Sequence, residues 1–316
     1  MAEGLGDCIM LSGALPAIRA RFSDAKISLL IFSRFEEYFK GNSSIDRLIV
    51  YPDYLYAREG LFKFILFSRH INRQCKPDVV LDLLANKNIK PAVLSLFIKS
   101  RITIGFGHLL KNIFYDVYVR INWDKHFFEV IFDALETLDI SRRAPEYWIP
   151  HIVPESDIAE IKHSTNKTII ISPGGKNNLL CLGKQDLWSF DEYPELVKSL
   201  VEAGYKIVLV GAEYDKDIVW DNINNDNVVN LIGKTSLNQI FNLVKNKADL
   251  VVCNNSGLLH VAVACGKPTV SYAGPLENIV RFGPYPNQGQ HRVLQPSRDR
   301  RISCQDFLAL IEERFN

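Results

Sequence analysis

"VVCNNSGLLHVAVACGKPTV", residues 251–270, contains an apolar run, a polar break and a second apolar run. The first run, Leu250 to Cys253, has the length of a buried strand and stops at Asn254, Asn255, Ser256 and Gly257. The second, Val261 to Cys265, begins just after His260 and reads as a buried helix. A strand that passes through small, hydrogen-bonding residues into a helix leaves the helix N-terminus at the carboxyl edge of a sheet, where α/β proteins bind ligands. Unpaired first-turn N–H groups and the helix dipole together favour an anion there by roughly 0.3–2 kcal/mol. Ser256 can cap the helix, Gly257 lets a ligand approach the backbone, and His260, four residues after Ser256, lies on the same helix face. The plainer alternative is an ordinary N-cap followed by a core histidine.

Working outward, the same alternation recurs along the chain. Strand candidates in the first half are 26–32, 46–51, 78–83 and 101–106, with helix candidates at 9–22, 60–74, 90–100 and 126–138. In the second half the strands are 167–172, 205–211, 228–232, 248–253 and 267–272, separated by helices such as 191–204 and 236–247. Short apolar strands alternating with helices predict parallel sheets covered on both faces. The segment "RRAPEYWIPHIVPESD", 142–157, reads as a linker. The expectation is an α/β protein of two Rossmann-like domains, 1–150 and 151–316, facing each other across a cleft.

Composition narrows the function classes. Of 316 residues, 47% are apolar and the net charge is +1, which argues against disorder and against a broad nucleic-acid surface. Cysteines 8, 75, 181, 253, 265 and 304 show no CxxC pair or metal spacing and read as reduced thiols, mostly buried. No apolar run reaches the roughly 18–20 residues of a membrane span, and no signal peptide is legible, so a soluble, cytoplasmic protein is expected.

Three more loops carry candidate chemistry. "ISPGGKNN", 171–178, follows an apolar strand, and its Ser172, Gly174, Gly175 and Lys176 suit close approach to a phosphate or sugar. In "LVGAEYDKD", 209–217, Asp215 follows a strand and can bond ribose hydroxyls, or be helix-end charge. Asp215-Lys216-Asp217 is also a literal D-x-D, the metal-holding pattern of some glycosyltransferases, but three letters match by chance easily and no metal site is assigned. In "AEGLGDCIMLSGALPAIRARF", 2–22, two glycines precede Asp7 and an amphipathic helix follows. Asp7 is either a cap or a carboxylate presented as a general base.

Together these segments resemble glycosyltransferase family 9, the heptosyltransferases of lipopolysaccharide core synthesis. The resemblance rests on "GLGDCIMLSGALPAIRARF", "IDRLIVYP", "DVVLDLLANK", "RITIGF", "IIISPGGK" and the run from Asn230 to Pro275, with strand–turn–"SGxxH"–helix and a following "GxP" its most specific part. It implies a GT-B fold, a nucleotide-diphosphate sugar donor such as ADP-heptose, a glycolipid acceptor at the inner face of a membrane, inversion at the anomeric carbon and no required metal or cofactor. It implies Asp7 as the base, Asp215 near the nucleoside, Thr235 lining the base or ribose pocket, and Ser256, Gly257 and His260 as the diphosphate turn. Two positions depart from the pattern. Asn255 stands where the family has aspartate, and Asp186 stands where it has a lysine two residues before Trp188, which leaves Lys184 or Lys176 to meet the leaving diphosphate. The helix 60–76, with Lys63, Arg69, Arg73 and Lys76 among large apolar residues, suits membrane or acceptor phosphates, or is a buried helix with a basic edge. A non-catalytic nucleotide-sugar-binding module, and more distantly a nucleotide-sugar epimerase, are the competing readings.

The family resemblance carries one further expectation. A strand precedes the "GD" loop in that family, and here only "MAE" stands before "GLGD". The strands 26–32 and 78–83 are then expected to face each other across a gap, as in a chain that lacks about 5–10 residues through a start codon placed too late.

Overall fold

The computed structural model describes residues 4–51, 61–83, 89–107, 113–151, 166–174, 187–215, 225–274, 276–286, 289–297 and 300–315. It divides into two compact units, Met1–Trp148 and Ile149–Asn316.

The first unit contains α1 (Leu5–Arg21), β1 (Ser28–Phe32), α2 (Glu36–Phe39), β2 (Arg47–Tyr51), α3 (Leu61–Gln74), β3 (Val79–Asp82), α4 (Lys90–Phe97), β4 (Ile102–Gly107), β5 (Val117–Arg120) and α5 (Phe127–Leu135). Its strands form two separate parallel sheets, β1-β2 and β3-β4-β5. Among the described residues, no strand pairs with the second edge of β1 or of β3, and the two do not pair with each other. Helix α1 begins at Leu5, earlier than the sequence pattern places it, so Gly6 and Asp7 lie inside its first turn. It is not the two-faced helix expected either: Cys8, Ile9, Met10, Ala14, Leu15, Ala17 and Ile18 are all buried. The missing side chain of Gly13 makes room for this burial, since a Cβ there would lie 2.9 Å from the Tyr147 ring and 3.1 Å from Phe128 of α5.

The first part of the proline-rich segment is held tightly to this unit. Trp148 N donates to Ser12 Oγ at 3.1 Å, Trp148 Nε1 donates to Tyr38 O at 2.8 Å, and Tyr38 Oη donates to Trp148 O at 2.9 Å. Residues 152–157 of that segment lie outside the described residues.

The second unit contains β6 (Thr168–Ser172), α6 (Tyr193–Glu202), β7 (Lys206–Leu209), β8 (Val228–Asn230), α7 (Leu237–Lys247), β9 (Leu250–Asn254), α8 (Gly257–Ala264), β10 (Thr269–Tyr272), α9 (Leu276–Phe282), β11 (His291–Leu294) and α10 (Cys304–Phe315). Its sheet is wholly parallel, in the order β11-β10-β9-β6-β7-β8. Numbered within the unit this is the doubly wound order 3-2-1-4-5-6, which reverses direction between β6 and β9. Every residue of β6, β7, β9 and β10 is buried, as expected of strands covered on both faces. One face is closed by Trp188, Tyr193, Leu196, Phe307 and Ile311, with the Trp188 ring 4.2 Å from that of Phe307 and 4.6 Å from that of Tyr193.

Candidate functional site

The order reversal brings the carboxyl ends of β6 and β9 side by side, with Ser172 paired to Cys253 in the parallel ladder. In a doubly wound sheet this is where ligands bind, because the following loops turn to opposite faces and open a crevice. Three of the loops singled out in the sequence, and the segment that carries Thr235, lie along this edge.

The turn after β6 places Ser172 at the strand end, buried, and Gly174 two residues on. Gly174 is packed against Asp215: a Cβ there would lie 2.5 Å from Asp215 Oδ2, so no larger residue fits without displacement. Gly175, Lys176 and Lys184 fall in 175–186, outside the described residues, as do Asp186 and Cys181.

Asp215 ends a short 3-10 turn, Glu213–Asp215, after β7. Its Oδ2 accepts from Ala212 N at 2.9 Å, and its own amide donates to Ala212 O at 2.9 Å. Asp215 is only 3% exposed. It is enclosed by Gly174 and Gly211, neither of which has a side chain to keep it out. Asp217 of the D-x-D letters lies outside the described residues.

Gly233 N donates to Gly211 O at 2.9 Å, which lays the segment leading to Thr235 beside the turn after β7. Its positive φ of 67° is a backbone state that glycine adopts at little cost. Ser236 then caps α7, accepting from Gln239 N at 3.2 Å while Gln239 Oε1 accepts from Ser236 N at 2.8 Å. With the cap supplied by Ser236, Thr235 Oγ1 and Asn238 Oδ1 are buried without a hydrogen-bond partner among the described residues. Such atoms in a native fold call for an explanation. Sequence reading picked out Thr235, just before the cap, and not Asn238, in the first turn of α7.

At the end of β9, Ser256 occupies the N-cap position of α8 in extended backbone, with φ −143° and ψ −178°. Its side chain makes no capping bond, contrary to the expectation that the hydroxyl would cap the helix. The helix entry is fixed by backbone instead, Asn255 N donating to Tyr272 O at 2.8 Å and Leu259 N to Ser256 O at 3.1 Å. Asn255, Ser256 and Gly257 are partly exposed, and His260, one turn in, is buried. The side chain of Asn255 reaches Asn278 O of α9 at a long 3.5 Å. Asn254, which the sequence marks only as a strand end, is fully buried and hydrogen-bonded to Pro173, Gly174 and Trp188.

In the first unit, Asp7 caps its own helix. Its Oδ2 accepts from Gly4 N at 3.0 Å, the reciprocal half of a capping box. Burial, followed by the charge of Asp7, pushes the neighbouring Cys8 thiol up, so this cysteine stays protonated. The candidate basic helix is α3. Its Ile71 is buried against Ile49 and Leu94, while Leu66, Arg69 and Arg73 are exposed. Among the described residues no helix is long and apolar enough to cross a membrane.

The comparisons with known proteins agree with this architecture. A 100-residue stretch is 34% identical to lipooligosaccharide heptosyltransferase 2 of Haemophilus influenzae, covering 29% of this chain and 28% of that protein. The chain thus matches little more than a quarter of the length of this curated relative. A solved structure titled as the glycosyl transferase family 9 from Veillonella parvula is 22% identical, with a TM-score of 0.82 over 99% of this chain and 95% of that one. The E. coli heptosyltransferase WaaC with ADP is 16% identical, with a TM-score of 0.75 over 99% and 98%. At these identities the structures show the fold, which is GT-B, with two Rossmann-like units. The sequence model of glycosyltransferase family 9 (heptosyltransferase) matches residues 68–306, and the chain belongs to that family.

Proposed function

We propose that this protein transfers a heptose from a nucleoside-diphosphate donor, ADP-heptose, to a lipopolysaccharide-type glycolipid acceptor, with inversion at the anomeric carbon. The observation that carries the reading is the switch point of the second unit. It is a Gly174 cradle against Asp215, a buried Thr235 hydroxyl with no hydrogen-bond partner among the described residues, and a helix entry at Ser256–Gly257 whose serine hydroxyl makes no cap bond. A nucleoside fits the first two and a diphosphate fits the third. The names of the relatives, which include a structure with ADP, support ADP-heptose as the donor.

In this scheme the second unit holds the donor and the first supplies the base. Asp7 takes the proton of an acceptor hydroxyl as its oxygen attacks the anomeric carbon. The bond from that carbon to the diphosphate breaks on the opposite side, and the nucleoside diphosphate leaves with an additional negative charge. Backbone N–H groups at the start of α8, His260, and Lys176 or Lys184 stabilise that charge, so no step uses a metal ion. Peripheral contact with a membrane surface through the basic, partly apolar face of α3 would bring the acceptor close.

The test is to incubate the purified protein with ADP-heptose and an acceptor lacking the transferred heptose, following ADP release and the mass and anomeric configuration of the product. Acceptor-dependent ADP release with an inverted product supports the reading. Donor binding without any release defines a non-catalytic binding module and overturns it.

A further inference from the structure

Asn254 presents a chemical problem that its position sharpens. It is the last residue of an otherwise apolar strand, fully buried, and it immediately precedes the Asn255–Ser256–Gly257 turn. An apolar side chain would suit the space, and a polar one is tolerated only when its bonds are made. Here they are made across the chain. Oδ1 accepts from Trp188 N at 3.0 Å, and Nδ2 donates to Pro173 O at 3.1 Å and to Gly174 O at 3.2 Å. The Tyr193 phenol faces the same amide: burial and Cys253 push it up, and a hydrogen-bonding contact with Asn254 draws it back.

A planar amide is the side-chain head that offers one acceptor and two donors at once. Asn254, at the end of β9, spends them all on the connection that leaves β6, on its first turn at Pro173–Gly174 and on its later backbone at Trp188. The consequence passes onward through contact. Gly174, held by the amide, abuts Asp215, and Asp215 in turn accepts from Ala212 N. One side chain thereby sets the ends of β9, β6 and β7 in a fixed relation.

We infer that Asn254 is a positioning residue for the nucleotide-diphosphate site. It acts through the Pro173–Gly174 and Trp188 backbone, holding the glycine turn against Asp215 and in register with the entry to α8. This rests on the donor reading above, and it assigns to Asn254 no contact with donor or acceptor. Directional bonds, rather than filled space, are what the residue contributes.

The test uses ADP as the probe and calorimetry on the wild type, Asn254→Asp and Asn254→Ser between about pH 5 and pH 8. A protonated carboxyl reproduces much of the amide's pattern, its carbonyl accepting from Trp188 N and its O–H donating to one backbone carbonyl. Ionised, it sets a negative charge against two carbonyl oxygens. Tyr193 and Cys253, the titratable groups packed beside it, are both pushed upward and stay protonated in this range. Asp215 and His260 on the neighbouring turns are shared with the wild type, whose own pH profile is the reference.

Asn254→Asp is expected to bind ADP about tenfold more weakly than wild type near pH 8 and to recover most of the difference near pH 5. Asn254→Ser, which cannot make the three bonds, is expected to bind about tenfold more weakly throughout. In turnover, both variants should raise the donor KM while kcat changes by less than about threefold, with cooperative thermal unfolding retained. If Asn254→Asp does not fold near pH 8, the serine variant carries the test. ADP affinities that track the wild type at every pH, with only Tm altered, reduce Asn254 to a stability residue and overturn the inference. Absence of ADP binding by the wild type overturns the donor reading, and this role with it.

Discussion

The carboxylate of Asp7 has two tasks in the reading offered here, and they can be separated. One is structural: Oδ2 accepts from Gly4 N and fixes the first turn of α1. The other is basicity, which the cap does not need. Asparagine keeps an acceptor for Gly4 N and loses the base. Asp7→Asn is therefore expected to lower kcat by about 10²–10⁴ with ADP affinity and Tm nearly unchanged, measured by steady-state kinetics, calorimetry and thermal melts. Near-normal turnover would place the base elsewhere. His260→Ala is expected to weaken ADP binding by about 1–3 kcal/mol, and an unchanged dissociation constant in a folded variant would remove His260 from the diphosphate site. Thr235 allows a test with two opposite signs. Its hydroxyl is buried with no hydrogen-bond partner among the described residues, so Thr235→Val should raise ligand-free stability by up to about 1 kcal/mol in urea denaturation and weaken donor binding by a similar amount. A variant that loses stability instead would show that the hydroxyl is already satisfied. At this scale the positions of the loops at strand ends were legible in the sequence and their bonds were not. Ser256 stands in the cap position that its type suggests, yet its side chain makes no cap bond. Asn254 acts on partners 66 to 81 positions away, which no local pattern displays.

Elements were legible where periodicity was strong and faint where it was not. The buried strands β6, β7, β9 and β10 stand within the apolar runs that announced them, apart from the final Asn254 of β9. The strands β5, "VYVR", and β11, "HRVL", were missed because each is four residues at a sheet edge with charged or exposed members. In β11 the missed element contains a titrating group. His291 is buried at the start of the strand, its Nδ1 3.0 Å from Thr269 Oγ1 of β10, and burial lowers its pKa from 6.5 to about 4. A histidine whose folded pKa is depressed takes up its proton more readily when unfolded. Its contribution is complete above about pH 6.5, and stability falls as the pH drops from there toward about 4. Urea denaturation at a series of pH values should show this decline in the wild type and a flatter profile in His291→Gln. Asp46, Asp116 and Asp306 are held below the usual carboxylate range by hydrogen bonds. Their contributions are lost only as the pH falls further, below about 4, so the two windows are distinguishable. A wild-type profile flat between about pH 6.5 and 4 would mean that His291 titrates normally.

The two units share a plan, and the difference between them is the most consequential feature of the whole chain. The second unit has an unbroken six-stranded sheet in the order 3-2-1-4-5-6, with β6 in the central first place. The first unit shows β2-β1 and β3-β4-β5 as separate pieces, which match the two halves of that order with the central place unmatched among the described residues. Helix α1, which would be the crossover after a central strand, was legible as a helix candidate at 9–22, whereas the pairing of distant strands was not. A parallel strand entering between β1 and β3 and running into Gly4 would complete the same order, with α1 as the first crossover. The N–H and C=O groups on the second edges of β1 and β3 would then each gain partners worth about 0.5–1.5 kcal/mol per bond. An N-terminal extension of about five β-branched residues is accordingly expected to raise Tm by roughly 5 °C or more. It should also slow hydrogen exchange at the amides of β1 and β3, and by steadying the start of α1 raise turnover that depends on Asp7. An extension of equal length containing two prolines, which cannot donate to either edge, should do none of this. Equal melting temperatures and equal exchange for the two extensions would mean that the edges of β1 and β3 do not accept a strand, and that the first unit is stable with its sheet in two pieces.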